Sequence, residues 1–472
     1  MANTFNTPNV VNVATDRNYI ASNTLYDMLK PVIGSAEAKV WGSQDITGLI
    51  NLLGGENYVS SSVWRHFEED RIHGLVIGDT SDAPGASVAY TSTQSFTFPS
   101  SSNQYNPPYD NADAQTVYNV RKHDVLLVNN AGTSVQGWVS DVSGSTFTVK
   151  AMAGGTLPTG TGIVMINIGN AEPEVGGGMP TTINYRDKTY ENVAMIQADK
   201  FQTTGVGLVE QTWIPFEFNG QTLNCWYLKG CSATYKRFRN FREIKGVVSE
   251  KSTNSGANPT GSETPTSTEG LIPFAKSYGN NTTYDIGTGL TLDRWNTLIT
   301  DQVDKNKGAT ENSEWMGINV RASIESFIRT EMKNGGVQYG AFQGDQKKAI
   351  DFGFDSFQTL GYTNHCMTYQ LFNDPTLLGA DGFGYKNLLV GIPMDKGIYK
   401  LGDQKESTEV PALRMNLLKL GGVNRGWEEF PLGGTGGVYT SGDDVKSINF
   451  RTNFGMEFFG SNRYFTVQGA NL

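Results

Sequence analysis

The sequence predicts an α+β protein that carries an inserted all-β domain. Glycine supplies 55 of the 472 residues, well above its usual share of about 7%, and this excess indicates many turns. Strand patterns and amphipathic helix patterns are mixed over residues 271–440, as in an α+β body. Residues 81–180 are instead rich in Ser, Thr, Gly, Asn and Pro. Their short strand patterns, separated by turn residues every eight to twelve positions or so, are typical of a small β-sandwich or barrel.

Charge and cysteine content exclude several classes of protein. The chain has 37 Lys and Arg against 47 Asp and Glu, a net charge of -10. This balance argues against a dedicated nucleic-acid-binding protein, so any DNA contact is expected to be local and non-specific. The three cysteines show no CxxC spacing, which predicts a reduced compartment and no structural zinc. No run of about 18 apolar residues occurs, so we expect neither a membrane span nor a signal peptide.

The first fifty residues are predicted to form an extended arm with short helical pieces. After the arm, VSSSVWRHFEEDRIH mixes apolar and charged residues at both sets of alternating positions. An extended strand of this kind needs water or a partner chain on at least one face, which predicts one half of a projecting ribbon. TTINYRDKTYENVAMIQADKFQTTG, which follows the all-β segment, is predicted to be the returning half.

The clearest helix pattern lies in CWYLKGCSATYKRFRNFREIKGVVSEK. Apolar residues recur there at intervals of three or four and predict one buried stripe, made of Cys231, Tyr235, Phe238, Phe241, Ile244 and Val248. Basic residues are predicted on the remaining surface, at Lys236, Arg237, Arg239 and Arg242. A solvated helix face is the simplest interpretation, and contact with DNA phosphates or with an acidic neighbouring subunit is the functional one. The aromatic residues are predicted to belong to the core.

The C-terminal half is predicted to alternate helices with strands. LDRWNTLITDQVDKNKG and RASIESFIRTEM show helical spacing, whereas EWMGINV, NLLVGIPM and LRMNLLKL are short apolar strands. The last segment, KSINFRTNFGMEFFGSNRYFTVQG, alternates apolar residues and then turns at residues 460–462. This pattern predicts a long terminal hairpin packed on the main body.

WRHFEEDRIH contains the densest group of ionisable side chains. His66 and His73 are seven positions apart, and on an extended strand they point to opposite faces, so a metal site is not favoured. The side chains are instead candidates for salt bridges to a neighbouring subunit. These candidates are Arg65, His66, Glu68, Glu69, Asp70 and Arg71.

Other motifs do not indicate an enzyme. LGGTGGVY lacks the spacing of a phosphate-binding loop, and NDPTLLGADGFGYKN lacks the ligand pattern of a calcium loop. No GxSxG nucleophile motif is present. Glu428 and Glu429 offer one half of a glycosidase acid pair, but surface acids are common. We therefore predict a protein that is not an enzyme, with no catalytic residue, cofactor or metal.

The order of these elements resembles the major capsid protein of tailed bacteriophages (Caudoviricetes type), whose fold also forms the herpesvirus capsid floor. TEGLIPF, FGFDSFQTLGY and LLVGIPMDKG are similar in texture to capsid proteins of phages of intestinal Bacteroidota, including the crAss-like group. The resemblance covers most of the chain but is architectural, and none of its motifs is individually diagnostic. It divides the chain into an N-terminal arm (1–50), an extended loop (51–80 and 181–221) with an inserted domain (81–180), a spine helix with peripheral domain (222–262), an axial domain (263–440) and peripheral C-terminal strands (441–472).

This resemblance implies a structural protein that assembles with itself, as hexamers and pentamers, into an icosahedral head around double-stranded DNA. It implies location in the virion, with assembly in the host cytoplasm and no membrane partner. The implied partners are a separate scaffolding protein, a portal, head auxiliary proteins and packaged DNA. Lys236, Arg237, Arg239 and Arg242 are then candidates for an inner, DNA-proximal surface.

The residues themselves leave two alternatives open. One is a hydrolase that uses Glu428 or the cluster at 66–73. The other is a β-rich carbohydrate-binding or surface adhesion protein. It is suggested by the 81–180 segment and by the aromatic residues Tyr105, Tyr109 and Trp138.

Overall fold

The computed structural model describes most of the chain from residue 56 to residue 470 and divides it into two compact units. The described residues are 56–68, 75–80, 87–88, 93–97, 109–110, 116–117, 120–130, 132–152, 155–174, 178–180, 188–209, 211–218, 221–252, 265–334, 356–394, 397–400 and 407–470. One unit is Arg65–Glu191, and the other combines the described parts of Met1–Trp64 and Asn192–Leu472. We call them the inserted unit and the main unit. The predicted N-terminal arm lies outside the described residues.

The helices of the described residues lie in the main unit, and all but two of them are short. They are α1 (Gly205–Val209), α2 (Trp226–Val248), α3 (Leu271–Tyr278), α4 (Leu292–Leu298), α5 (Ile318–Asn334) and α6 (Gln370–Asn373). A π-helical turn, Ile299–Val303, continues α4, and single 3-10 turns occur at Tyr385–Asn387 and Ser461–Arg463. Among the described residues, no helix has both the length and the apolar content needed to cross a bilayer.

Strands form most of the regular structure in both units. In chain order they are β1 (Glu56–Val59), β2 (Val63–Glu68), β3 (Leu75–Gly78), β4 (Ser87–Val88), β5 (Thr93–Thr97), β6 (Tyr109–Asp110), β7 (Thr116–Val117), β8 (Asp124–Asn130), β9 (Thr133–Ser143), β10 (Thr146–Ala151), β11 (Leu157–Pro158), β12 (Ile163–Asn170), β13 (Lys188–Val193), β14 (Met195–Thr204), β15 (Gln211–Phe218), β16 (Gln221–Cys225), β17 (Asn280–Asp285), β18 (Glu311–Met316), β19 (Ser356–Thr359), β20 (Tyr362–Thr368), β21 (Leu388–Pro393), β22 (Gly397–Lys400), β23 (Ser407–Val410), β24 (Leu413–Leu420), β25 (Val423–Asn424), β26 (Glu428–Gly433), β27 (Val445–Phe458) and β28 (Phe465–Ala470).

The inserted unit contains a closed six-stranded sheet. Its strands pair in the order β3-β12-β8-β9-β10-β5, all antiparallel. Asp79, directly after β3, exchanges two backbone hydrogen bonds with Thr97 of β5, at 2.8 and 2.7 Å. Because these bonds join the two edge strands, the sheet closes on itself and leaves few unpaired edge groups. The predicted segment 81–180 begins after the first of these strands.

Alternation along the strands fills the interior of the closed sheet. On β10, Phe147, Val149 and Ala151 are buried while the residues between them are partly exposed, as a period of two requires. The buried apolar cluster draws on every strand of the sheet, on strand β11 and on the segment before β8. It comprises Val76, Phe96, Val120, Leu126, Val128, Val139, Phe147, Val149, Ala151, Leu157, Ile163 and Met165.

A first sheet of the main unit has the order β1-β24-β27-β14, with β25 on β24 and β26 on β27. Helix α2 packs on it through Phe238, whose ring lies 5.2 Å from Trp427 and 5.9 Å from Phe450. Gly230 of the helix allows close approach of β14, since a Cβ there would lie 2.1 Å from the Phe201 ring.

The predicted buried stripe of α2 is only partly correct. Phe238 is buried, but Tyr235 and Phe241 are 38% and 44% exposed, and Arg242 and Glu243 are buried instead. The reason is that α2 is covered on two sides. The first sheet covers Phe238, and on another side the hydroxyl of Tyr369 donates a 2.5 Å hydrogen bond to Glu243.

A second sheet of the main unit has the order β17-β28-β21-β18-β20-β19. It is mixed, because β17 with β28 and β18 with β20 are parallel pairs and the others are antiparallel. Helices α4 and α5 contribute Trp295, Val320 and Ile324 to the same buried cluster as Met316 and Phe465 of the sheet. Spacings of three and four residues in α4 and α5 explain why each helix buries one face.

The predicted terminal hairpin is wrong. Strands β27 and β28 do not pair with each other, since β27 lies in the first sheet and β28 in the second. The predicted turn is present at Gly460, which has φ of 75°, but it carries the chain from one sheet to the other. From Thr452 to Phe459 every residue is buried, so this stretch requires packing partners on both faces, which a two-stranded hairpin does not supply.

Candidate functional site

Strand β2 carries the first part of the cluster in WRHFEEDRIH. The strand prediction is confirmed for Val63–Glu68, and β2 pairs with β13 in a two-stranded sheet. Arg65 forms an ion pair with Glu191 of β13. His66 stacks on Tyr190 with ring centroids 5.4 Å apart, and its Nε2 lies 3.4 Å from a carboxylate oxygen of Glu68. These three candidates therefore have partners within their own chain.

The remaining members of that cluster are not placed. Glu69, Asp70, Arg71 and His73 lie outside the described residues. Within the described parts of the chain, no group of three or more His, Cys, Asp or Glu side chains could hold a metal ion.

The basic residues of α2 fall into two groups. Lys236 and Arg237 are exposed, and Arg237 donates two hydrogen bonds of 2.8 Å to the carboxylate of Asp199. These hydrogen bonds raise the pKa of Arg237 above its usual value. Arg239 is half-buried, and Arg242 is only 7% exposed. The expectation that Arg242 lies on an open helix face is wrong, because Trp427 covers it, with 5.4 Å between the guanidinium carbon and the ring centroid.

Arg239 and Arg242 line a cleft of about 390 Å³ in the main unit. We call it the arginine cleft, and its described lining residues are Tyr58, Tyr235, Arg239, Arg242, Leu417, Asn424, Gly426 and Trp427. They come from β1, α2, β24, β25 and the segment between β25 and β26. Positions 235, 239 and 242 follow helical spacing and share one face of α2.

Packing of the first sheet against α2 forms the floor and one wall of the arginine cleft. Tyr58 stands opposite Leu417 in the register of β1 with β24, and Lys419 lies 4.9 Å from the centre of the Tyr58 ring. A Cβ at Gly426 would lie 3.0 Å from the Leu417 side chain, so glycine keeps this part of the floor open. Sequence analysis did not identify Tyr58, Asn424 or Trp427 as neighbours of the basic helix.

Three buried carboxyl groups lie elsewhere in the described part of the main unit, those of Glu243, Glu314 and Glu457. Glu457 accepts hydrogen bonds from Arg414 and Asn416, both of 2.7 Å. Glu314 of β18 is fully buried, and the Cys366 thiol donates to it at 3.6 Å. Burial raises the pKa of Glu314 to about 8. Glu243, as described above, accepts a hydrogen bond from Tyr369. The carboxyl groups and the Cys366 thiol are all buried. Their contacts therefore affect the stability of the interior, and these side chains are not exposed to a substrate.

Glu428, considered for a glycosidase pair, is engaged by a cation. Its carboxylate accepts a 2.5 Å hydrogen bond from Arg451, the residue opposite it in the pairing of β26 with β27. The Glu428 side chain is therefore part of an ion pair between neighbouring strands.

The aromatic residues that suggested carbohydrate binding are only partly described. Trp138 is half-buried, with its ring 6.2 Å from that of His123. His123 in turn lies 2.6 Å from Glu172. Tyr109 begins β6, without a described side chain, and Tyr105 lies outside the described residues.

Comparison with known proteins found no matching family model and no matching curated protein. Solved structures similar to the chain include bacteriophage capsids. A chain from Mycobacterium phage Cain has a TM-score of 0.38 and 9% identity, over 96% of this chain and 98% of that one. The capsid of Myoviridae phage XM1 gives 0.36 and 9%, over 96% and 100%, and the capsid of cyanophage P-SCSP1u gives 0.36 and 8%, over 64% and 80%. TM-scores this low assign neither a fold family nor a function to the chain.

Proposed function

We propose that this chain is the major capsid protein of a tailed bacteriophage and assembles with copies of itself into an icosahedral head around double-stranded DNA. The observation that carries the proposal is the order of the described elements. A two-stranded ribbon (β2 with β13) brackets an inserted β unit, and the 23-residue helix α2 follows. Most of the mixed second sheet comes next, then strands β24 to β27 of the first sheet, and last β28, which returns to the second sheet. The resemblance drawn from the sequence implies the same order as far as β27.

The finer parts of the proposal follow the same scheme. We assign α2 as the spine helix, the second sheet with α4 and α5 to the axial domain, and the first sheet to the peripheral domain. This assignment differs from the predicted bounds, since it moves β24 to β26 out of the axial range 263–440 and β28 out of the peripheral range 441–472. The implied partners are hexamers and pentamers of the chain itself, a scaffolding protein, a portal, auxiliary head proteins and packaged DNA. Membership of the crAss-like group and location in the virion are parts of the same proposal.

Assembly is tested by electron microscopy of the purified chain, with its scaffolding protein where one is required. Closed shells of uniform diameter are expected. A chain that stays monomeric under every assembly condition contradicts the proposal, and selective glycan binding by that monomer favours the carbohydrate-binding alternative.

The acidic residues of WRHFEEDRIH provide a sharper test. Reversing the charge of Glu68, Glu69 and Asp70 is expected to prevent shell formation while the monomer keeps its circular dichroism spectrum, because these acids are proposed to meet basic groups of a neighbouring subunit. The matched control reverses the charge of Asp301 and Asp381, whose side chains are 56% and 102% exposed. Normal shells from the first variant refute the intersubunit contact, and loss of shells from both variants shows a general charge effect.

A further inference from the structure

Strand β14 forms a long open edge of the first sheet. It pairs with β27 along one side over all 10 of its residues, and on its other side no strand of the described residues pairs with it. An edge strand is a template for pairing with another chain unless charges, proline, a bulge or a covering element prevent it. The sequence of β14 contains no proline, and its register with β27 runs without a bulge.

Alternate residues of β14 direct their backbone groups away from the sheet. In an antiparallel pair, the backbone groups of every second residue turn away from the partner strand. The Lys200 N–H is one of these, since it donates a 2.9 Å hydrogen bond to the Asp199 side chain. Gly205, at an odd-numbered position, instead donates across the pair to the carbonyl of Asp444. The outward N–H and C=O groups therefore belong to the even-numbered residues Ile196, Ala198, Lys200 and Gln202.

Other sheet edges in the described part of the chain are short or protected. Strand β26, also an edge of the first sheet, contains Pro431, which has no N–H to donate. At the β17 edge of the second sheet, Arg294 donates a 2.8 Å hydrogen bond to the Thr283 carbonyl. Strands β1 and β19 have four residues each. Strand β14 is longer than these edges, and the one charge on its exposed face is Lys200.

Exposed apolar side chains accompany this open edge. Ile196 of β14 is 58% exposed, and Phe241 of α2 is 44% exposed. Phe241 follows Arg237 by one helical turn, and Arg237 binds Asp199 of β14, so both residues lie on the side of α2 that faces this strand. A strand added to the edge would therefore gain backbone partners and would also cover apolar surface.

We propose that β14 pairs with β14 of a second copy of this chain, antiparallel about a two-fold axis. A two-fold contact is self-complementary, and an axis at Asp199 places Ile196 opposite Gln202 and Ala198 opposite Lys200 in both directions. All the outward residues of each copy then gain partners. An axis at Lys200 would instead place two ammonium groups opposite each other, which is destabilising in a sheet.

The Asp199 residues of the two copies meet on the face that α2 covers. Each carboxylate already accepts two hydrogen bonds of 2.8 Å from its own Arg237. Two carboxylates and two guanidinium groups then lie together without net charge, which offsets the repulsion between the acids. The contact rests on the proposed function, because it is one of the contacts that self-assembly requires, but two copies are enough to form it.

Analytical ultracentrifugation of the full-length, unassembled chain over a concentration series tests the contact. We expect a concentration-dependent dimer. Ala198→Pro removes an outward N–H from each copy and no hydrogen bond to β27, and is expected to weaken the dimer by about tenfold. Ala198→Val keeps the N–H and is the matched control, with an unchanged dimer. Circular dichroism and urea unfolding compare the stability of the two variants.

The register is tested separately by two charge variants at the same position. Ala198→Glu places a carboxylate opposite Lys200 of the second copy, twice in each dimer, and is expected to tighten the dimer by about tenfold at low salt. Ala198→Lys is expected to weaken it by a similar factor. Both effects should become small in about 1 M NaCl, where charges are screened. These variants keep the N–H, so they test the contact independently of the proline variant.

Three results overturn the proposal. The first is a wild-type chain that stays monomeric over the whole concentration series. The second is a dimer that Ala198→Pro leaves unchanged, which places the contact elsewhere. The third is the same response to Ala198→Glu and Ala198→Lys, which assigns the edge to a strand other than β14. Electron microscopy separates the two proposals. Normal shells from Ala198→Pro overturn the β14 contact alone, whereas a β14 dimer that never forms shells supports the contact and contradicts the proposed function.

Discussion

The two units of the molecule bury different kinds of side chain. The interior of the inserted unit is aliphatic and aromatic, and its buried Asp124 accepts hydrogen bonds of 2.8 Å from the Arg121 amide and from Asn167. The main unit buries Glu243, Glu314 and Arg242. The difference indicates that the stability of the closed sheet depends on shape and packing. The stability of the main unit also depends on the protonation state of its buried carboxyl groups.

The largest effect is expected from a cavity in the closed sheet. Phe147 is 1% exposed and its ring lies 5.5 Å from that of Phe96. Phe147→Ala removes this contact and leaves a void, which is expected to lower the free energy of unfolding by about 3 to 5 kcal/mol. Hydrogen exchange measured by mass spectrometry should show faster exchange throughout β8 to β10, with exchange in β18 unchanged.

Ile166→Ala is the matched control for that cavity. Ile166 lies on the same closed sheet but is 50% exposed, so truncation there is expected to change stability by less than about 1 kcal/mol. Similar exchange rates in the two variants would contradict the view that packing inside the sheet stabilises the inserted unit.

An intermediate effect is expected from Glu314, and it depends on pH. In the folded protein the Glu314 carboxyl group has a pKa of about 8, whereas its usual pKa is 4.5. Between these values the unfolded chain has released the proton, so the free energy of unfolding falls as pH rises, by about 1.4 kcal/mol per pH unit. Glu314→Gln removes this slope and is expected to be more stable than the wild type near pH 8.

Urea unfolding between about pH 5 and about pH 8, followed by circular dichroism, measures the slope. Asp381→Asn, at a side chain that is 102% exposed, serves as the control and should retain the wild-type slope. A Glu314→Gln variant with the wild-type slope shows that another group causes the pH dependence.

The smallest effect is expected at an exposed ion pair of the main unit. Arg237 is 53% exposed at its side chain, and water screens its interaction with Asp199. Arg237→Gln is therefore expected to lower the free energy of unfolding by less than about 1 kcal/mol, as measured by urea unfolding at low salt. A loss several times larger would mean that exposed charges stabilise this unit as much as buried ones, and the contrast between the units would need revision.

The sequence was informative where a pattern has a single period. LRMNLLKL forms β24 over Leu413–Leu420, and the long helix pattern forms α2. The sequence was less informative about which faces of a helix are buried. Side-chain spacing shows that a segment is helical, but it does not show how many other elements pack against that helix. Arg242 and Glu243 are buried since α2 is covered on two sides. For the same reason β27 and β28, both apolar, were predicted to pair with each other when each belongs to a different sheet.

The arginine cleft illustrates what spacing alone cannot provide. Tyr235, Arg239 and Arg242 share a helix face that helical periodicity predicts. Tyr58 and Trp427 reach the cleft through sheet pairing between strands that are distant in sequence. No local pattern marks either residue, because their neighbours are set by the topology of the first sheet.

The paired strands β2 and β13 have a consequence for how this chain can change over generations. The chain enters the inserted unit at Arg65 and leaves it at Glu191, and paired strands lie about 4.8 Å apart. A tight turn can bridge such a gap, so the unit can be lost, exchanged or replaced by a foreign sequence without lengthening the main unit. The same junction is a natural place to graft a reporter or an epitope.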